Sequence, residues 1–201
     1  AVLLCHIFGL SPTQSLEYTT KYHARRPTMR EKWRKIGSPQ TYQQKNFVYN
    51  LCKEIHFHRA YKSGYTAGFS NMSPYSINIP NIGLFPSLEA AIQAYKCIND
   101  KEYVEKQLNA DTPFTSKILG NKIKTPPNWE EIAPKISERL LKLKFSQHPN
   151  IKETLLNTGL SKITFHSKYD GFWGINDSGK GENILGKQLY KLRNSYYTKE
   201  P

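Results

Sequence analysis

Cysteine is scarce in this sequence. The three cysteines, Cys5, Cys52 and Cys97, lie far apart among 201 residues, and neither a Cys-x-x-Cys pair nor a Cys/His cluster accompanies them. Few, scattered cysteines of odd number are typical of a reducing compartment and provide no framework for a zinc site. We therefore expect an intracellular, cytoplasmic protein that needs no metal ion and no other cofactor.

Long apolar runs are absent as well, because no stretch approaches the ~20 residues that a membrane-spanning helix needs. The sequence is nevertheless 38% hydrophobic, with three Trp, nine Phe and 13 Tyr, which is typical of a chain that folds around a core. The length fits one domain with an extension. We expect no membrane partner, and the pattern does not indicate an oligomeric state.

Acidic residues are outnumbered, since 16 Asp and Glu stand against 29 Lys and Arg and give a net charge of +13. A field of this sign favours polyanions and phosphorylated ligands, although an AT-rich genome also produces a lysine-rich composition. Residues 1–54 carry nine Lys/Arg against three acids, and residues 55–201 carry 20 against 13. We predict a basic N-terminal extension, residues 1–54, packed on a main catalytic domain, residues 55–201.

The clearest predicted element is a helix that begins after Ser87, which can cap its first turn, and continues to Asn99-Asp100. Its apolar side chains share one side of the helix. Glu89, Gln93 and Lys96 follow at i, i+4 and i+7 and form a narrow polar stripe directly beside it. A carboxylate, an amide and an amine therefore converge at the edge of a core.

The remaining pattern predicts an α+β fold, a predominantly helical single domain with a small β-sheet. Short strands are expected at 55–59 and 162–166, and loop with short strands at 61–86. Helices are expected over 101–119 with a break near Pro113, from Asn128 onward, over 151–158 with Gly159 as the C-cap, and over 183–196. Asn128 and Glu131 have the spacing of a capping box.

A series of short segments stands in a characteristic order along the chain: Phe69 to Pro74, Pro86 to Glu89 with Gln93 to Lys96, Lys117 to Gly120, Asn128-Trp129, Leu143 to Phe145 with Pro149, Leu155 to Gly159, Asp170 to Gly174, and Gly181 to Gly186. In this order they resemble the NADAR (YbiA-like) domain family over about residues 55–193. The resemblance does not cover residues 1–54. It also departs from the family at one position, because Ala90 follows Glu89 where the family usually has His.

The resemblance implies a YbiA-like fold and an N-glycosidase. The family includes enzymes that act on ribosylated, phosphorylated intermediates of riboflavin synthesis, and enzymes that remove ADP-ribose from guanine in DNA. Its pattern makes a Glu, a Trp and an Asp the site residues, which correspond to Glu89, Trp129 and Asp170. The helix lysine, Lys96, is a further catalytic candidate.

Each of these residues also has a purely structural interpretation. Glu89 could be a charge that stabilises the first helical turn, and Asp170 a cap of the turn before a Gly-rich loop. Trp129 could be a packing residue or stack on a base. Lys96 could bind phosphate or form an imine with the opened ribose. The resemblance favours the functional interpretation, with Glu89, Lys96 and Asp170 catalytic and a further set binding substrate: Trp129, Gln93, Asn71, Phe69, Arg59, Trp173, Gly174 and Asn183.

The leading hypothesis is therefore an N-glycosidase that hydrolyses the bond between ADP-ribose and a nucleobase and reverses guanine ADP-ribosylation of DNA. Its partner would be an ADP-ribosylated nucleic acid or a small molecule like ADP-ribose. One alternative is an N-glycosidase on phosphoribosylamino-pyrimidine intermediates of riboflavin biosynthesis. Another, of a different class, is a non-catalytic module that binds NAD or ADP-ribose. Salt-sensitive DNA binding would separate the first hypothesis from the second.

Overall fold

The computed structural model describes residue 17 and residues 54–58, 64–159 and 161–197. The predicted extension, residues 1–54, lies outside these residues apart from Glu17 and Glu54, so its packing on the main domain stays a prediction. The chain divides into two compact units, residues 1–55 with 158–162, and residues 56–157 with 163–201. In the first unit, Lys162 forms a 3.0 Å salt bridge with Glu54 and accepts a 2.7 Å hydrogen bond from the backbone of Ile55.

Among the described residues, four short strands form two small sheets. Strand β1 (Ile55–Phe57) pairs with β4 (Ile163–Phe165), and β2 (Ile77–Ile79) pairs with β3 (Gly83–Phe85) in antiparallel register. A 3₁₀-helix, Gly64–Phe69, precedes β2. The central residue of β2, Asn78, is held from outside the sheet, because the Gln147 side chain bonds both its N–H and its carbonyl at 2.9 and 2.8 Å.

Six α-helices lie in the described residues of the second unit: α1 (Leu88–Ala94), α2 (Lys101–Leu108), α3 (Pro113–Lys122), α4 (Trp129–Gln147), α5 (Pro149–Leu156) and α6 (Ile184–Tyr197). The predicted α+β class with mostly helical content is therefore confirmed. None of the helices in the described part of the chain combines the length and the apolar character that crossing a membrane requires.

The core surrounds α1, which packs against α2, α3 and α4. Every residue of α1 is buried, the polar Glu89 and Gln93 included. The predicted cap is confirmed, because the Ser87 hydroxyl accepts a 3.1 Å hydrogen bond from the Ala90 N–H. The last predicted turn differs, since Tyr95–Cys97 tightens into a 3₁₀-helix. The described helices therefore enclose a short polar stretch within an apolar core.

The predicted capping box at Asn128 is wrong. Asn128 precedes α4 with φ −112° and ψ 32°, rather than in the extended conformation of a capping residue, and its side chain makes no cap hydrogen bond. The first turn is closed instead by backbone bonds, from Trp129 N–H to the Pro126 carbonyl at 3.0 Å and from Glu131 N–H to the Asn128 carbonyl at 3.1 Å. Pro134 lies inside α4 without ending it.

Helix α5 has the predicted length but lies two residues earlier in the chain than predicted. It begins at Pro149, a favoured first position, and ends at Leu156 with Asn157 as its C-cap, so Gly159 does not cap it. Gly159 has a positive φ of 58° in the turn that follows.

Candidate active site

Helix α1 carries a buried carboxyl group. The Glu89 side chain accepts a 2.8 Å hydrogen bond from the Gln93 amide, and the Glu89 backbone N–H donates a 3.0 Å bond to the Asn71 carbonyl. Burial raises the pKa of Glu89, while the Gln93 hydrogen bond and the positive charges of Lys117 and Lys96 oppose this effect. Asp170 adds a smaller upward contribution. The environment therefore favours a protonated Glu89 at a pH where an exposed glutamate is ionised.

Lys96 stands in the 3₁₀ turn directly after α1. Its ammonium group donates a 3.0 Å hydrogen bond to the Gly120 carbonyl and lies 5.9 Å from the centroid of the Trp129 ring. Burial lowers the pKa of Lys96, and the negative charge of Glu89 opposes this while Lys117 adds to it. Burial thus shifts both pKa values in the direction of the neutral form, which is the direction that a nucleophilic amine and a general acid need.

Asp170 and Trp173 enter from the loop between β4 and α6. The Asp170 carboxylate accepts a 3.1 Å hydrogen bond from the Trp173 N–H, and its carbonyl accepts another at 3.1 Å from the Gly174 N–H. Asp170 therefore does close a turn, as the structural interpretation expects, yet it remains partly exposed to the cavity. The Trp173 ring is fixed edge-on against Phe172, with 5.3 Å between centroids.

These groups line one cavity of about 200 Å³. It brings together seven of the residues that the sequence predicted, which are Asn71, Glu89, Gln93, Lys96, Trp129, Asp170 and Trp173. Two of them, Asn71 and Gln93, offer an unused acceptor, because their side-chain oxygens are buried and have no hydrogen-bond partner among the described residues. Such an oxygen is costly to bury unless a ligand supplies the donor.

Comparisons with known proteins identify the family of the chain. The family model of the NADAR domain matches residues 56–196. The chain belongs to the NADAR domain family. It is 32% identical over 127 residues to N-glycosidase YbiA of Escherichia coli, a match that covers 62% of this chain and 78% of that protein. The NMR structure of Escherichia coli YbiA matches with a TM-score of 0.64 and 28% identity, and the match covers 73% of this chain and 86% of that one.

A second relative has a different name. The chain is 30% identical over 142 residues to the maize riboflavin biosynthesis protein PYRR, chloroplastic, which covers 62% of this chain but only 22% of the much longer plant protein. With relatives named as N-glycosidases, the prediction of a NADAR enzyme that hydrolyses glycosidic bonds is confirmed.

Three predicted substrate-binding residues of the NADAR domain lie outside the cavity lining. Phe69 is completely buried in the core. Gly174 packs so closely on β4 that an added Cβ would lie 2.6 Å from the Phe165 carbonyl oxygen. Asn183, with φ 52°, clamps β4 by accepting from the Phe165 N–H and donating to the Ile163 carbonyl, both at 3.0 Å. Arg59 lies outside the described residues.

The cavity also contains polar residues that the sequence analysis did not select, among them Lys117, Asn121, Ser70 and Ser167. Lys117 stood in a recognised motif, and Asn121 follows it at i+4 on α3, so helical spacing could have found this pair. Ser70 and Ser167 belong to loops, where the sequence has no periodicity from which the direction of a side chain could be predicted. In the described part of the chain, no group of three or more His, Cys, Asp or Glu is arranged to hold a metal ion.

Proposed function

We propose that this NADAR domain hydrolyses the N-glycosidic bond between ADP-ribose and a nucleobase, with ADP-ribosylated guanine in DNA as its substrate. The observation that carries the proposal is the pairing of Glu89 and Lys96 in one cavity, where burial raises the pKa of the acid and lowers that of the amine. Neither shift stabilises the folded chain, whereas both suit the cleavage of a glycoside.

Cleavage of an N-glycoside needs an acid for the leaving base and a nucleophile for the anomeric carbon. In the proposed reaction the Lys96 amine bonds to the anomeric carbon as the carbon–nitrogen bond to the base breaks. The electron pair of that bond stays on the base nitrogen, which takes the proton of Glu89. As the bond from the anomeric carbon to the ring oxygen breaks, that oxygen takes a proton from the attached nitrogen, and the sugar is left ring-opened and linked to Lys96 as a protonated imine. Water then adds to the imine carbon, the carbon–nitrogen bond to Lys96 breaks to release the sugar and the free amine, and the remaining proton returns to Glu89.

Asp170 and Trp129 suit the two ends of the substrate. The partly exposed carboxylate of Asp170 can orient the ribose hydroxyls or the attacking water. The Trp129 ring, beside Lys96, offers a face on which a purine can stack. The buried Asn71 oxygen lacks a donor, and the N–H edge of guanine carries donors that would meet this need.

The size and charge of the site favour a ribosylated base with a longer anionic part outside. A cavity of about 200 Å³ is smaller than the ~300–1,000 Å³ typical for a whole drug-sized ligand. The base and reacting ribose would fill it, and the diphosphate would extend past Lys117 toward the surface. The net charge of +13, of which +6 falls in residues 1–54, favours a nucleic-acid strand as the carrier of the base.

A second candidate is hydrolysis of phosphoribosylamino-pyrimidine intermediates, which the name of the maize relative favours. The same acid, amine and acceptor would serve that reaction, but it needs no binding to DNA. A third candidate, a module that binds NAD or ADP-ribose without turnover, leaves the buried Glu89 unexplained.

The deciding experiment measures release of ADP-ribose from guanine-modified DNA, beside release of base from a phosphoribosylamino-pyrimidine. We expect wild type to cleave the DNA substrate, Glu89→Gln to lose at least about a hundredfold in rate, and DNA affinity to fall steeply with salt. Turnover of the pyrimidine alone would transfer the assignment to the second candidate. Binding of ADP-ribose without turnover of either substrate would support the third.

A further inference from the structure

Lys144, on α4, is a completely buried lysine. Its ammonium group donates three hydrogen bonds, to the Gly68 carbonyl at 2.6 Å, the Ser70 carbonyl at 2.9 Å and the Ser73 hydroxyl at 2.7 Å. Three acceptors match the three N–H groups of an ammonium ion. Among the described residues no carboxylate forms a salt bridge with Lys144, so these neutral acceptors are what compensates its burial.

All three acceptors belong to one segment, residues 68–73, which we term the 68–73 loop. Within it the Ser73 hydroxyl donates to the Ser70 carbonyl at 2.7 Å, and the Met72 N–H donates to the Ser70 hydroxyl at 3.1 Å. Lys144 therefore binds the first and last residues of the loop as well as its middle. Without it, the Gly68 carbonyl would retain only a long 3.4 Å contact with Ser73.

The 68–73 loop is part of the active-site wall. Ser70, Asn71 and Met72 line the cavity, and the Asn71 carbonyl accepts the hydrogen bond from the Glu89 backbone. Asn71 also supplies a buried side-chain oxygen without a hydrogen-bond partner among the described residues. A continuous path of hydrogen bonds and a short peptide segment thus leads from Lys144 to the proposed general acid.

We propose that Lys144 is a positioning residue, whose buried ammonium group holds the 68–73 loop so that Asn71 and Glu89 keep their places in the reaction site. The inference rests on the proposed function, in that the cavity is taken as the place of reaction. Burial lowers the pKa of Lys144 to about 7, and the three acceptors, which favour the charged form, oppose this lowering. A site that needed only packing would be filled more favourably by an apolar side chain.

The first test compares amide hydrogen exchange in the full chain of wild type, Lys144→Met and Lys142→Met. Lys142 is on the same helix but exposed, where it pairs with Glu138 at 3.0 Å, so its substitution controls for loss of a charge from α4. We expect Lys144→Met to exchange at least about tenfold faster across the 68–73 loop and at the Glu89 amide, with α2 unchanged. Unaltered exchange at both places in a folded Lys144→Met would overturn the proposal.

The second test is a double-mutant cycle with Asn71→Ala on the substrate that wild type cleaves. A small displacement of a reacting group can cost about a hundredfold in rate, so we expect Lys144→Met to lower kcat/KM ten- to a hundredfold in wild type. In the Asn71→Ala background we expect less than a threefold loss. An equal loss in both backgrounds would mean that Lys144 acts only through stability.

A second variant, Lys144→Gln, keeps both tests usable if Lys144→Met does not fold. The glutamine amide retains two N–H donors but carries no charge. Intermediate exchange and intermediate kcat/KM would support the proposal, and wild-type behaviour in both would overturn it. If wild type cleaved neither substrate, the proposed function would fail, and hydrogen exchange at the loop would still decide the role of Lys144.

Discussion

The Gln93 amide donates a 2.8 Å hydrogen bond to the Glu89 carboxyl group, one turn earlier on a helix whose every residue is buried. The bond fixes the carboxyl orientation, but it does not offset the burial that raises the pKa of Glu89. Gln93 is itself held against α3, where Gly120 has no side chain to displace it. The orientation of the Glu89 carboxyl group therefore depends on the contact between two helices.

The pH profile of the reaction should reveal the proton carried by Glu89. We expect kcat/KM to decline on the alkaline side as Glu89 loses its proton, and on the acid side as Lys96 gains one. In Glu89→Gln, which cannot donate, the rate should fall by about 10²–10⁴ and the alkaline decline should disappear. Steady-state kinetics across pH measure both. An alkaline decline that persists unchanged in Glu89→Gln would assign that proton to another group.

The same substitution should stabilise the fold at neutral pH. Because burial raises the folded-state pKa of Glu89 above its ordinary value of 4.5, the native state binds more protons than the unfolded state between these two values. The free energy of unfolding therefore falls as pH rises through this window, by about 1.4 kcal/mol for a pKa difference of one.

Glu89→Gln removes this pH-dependent decrease in the free energy of unfolding, so the urea midpoint of the variant should exceed that of wild type at pH 7. The two midpoints should converge below about pH 4.5, where wild-type Glu89 is protonated in both the folded and the unfolded state. Glu130→Gln is the matched control, because Glu130 is exposed in the first turn of α4. A Glu89→Gln variant less stable than wild type at pH 7 would contradict the assigned burial cost.

Lys96 should be the residue that binds the sugar covalently. Borohydride added during turnover would reduce an imine to a stable amine, so mass spectrometry should find the sugar on the peptide that contains Lys96. Lys96→Arg keeps the charge but has no amine able to form the imine, and it should lose the adduct and at least about a hundredfold in kcat. An adduct mapped to Lys117 instead would reassign the nucleophile.

Gly120→Ala should disturb the site from the opposite helix. An added Cβ would overlap the Gln93 side-chain oxygen, and the Gly120 carbonyl is the acceptor for Lys96. Overpacking of this kind costs about 1–3 kcal/mol of unfolding free energy, and the shift of Gln93 should lower kcat as well. The control is Gly171→Ala, where an added Cβ would meet its nearest neighbour, the Gly181 Cα, at 3.9 Å.

The measurements are the melting temperatures of both variants and of wild type, together with kcat of Gly120→Ala. Equal melting of Gly120→Ala and wild type would show that Gln93 can move aside without cost.

Local sequence patterns predicted several features of the fold and of the candidate site. Ser87 predicted the start of α1 because a hydroxyl can cap a first turn, and the helical spacing of Glu89, Gln93 and Lys96 predicted that they face one way. The ordered motifs indicated the NADAR family and seven residues of the cavity wall. Helical spacing predicted only that Glu89 lies at the edge of a core. Motif matching also selected Phe69, Gly174 and Asn183, which lie outside the cavity lining.

Tertiary structure decided how deeply these groups are buried. α2, α3, α4 and β3 pack against α1, and the resulting burial, absent from any local pattern, raises the pKa of Glu89. Asn128 did not cap α4 because the preceding chain enters in another conformation. Lys144 is the clearest case. A lysine in a helix is ordinarily predicted to be exposed. Only the two carbonyl groups and the Ser73 hydroxyl of the distant 68–73 loop provide the acceptors that let the ammonium group be buried there.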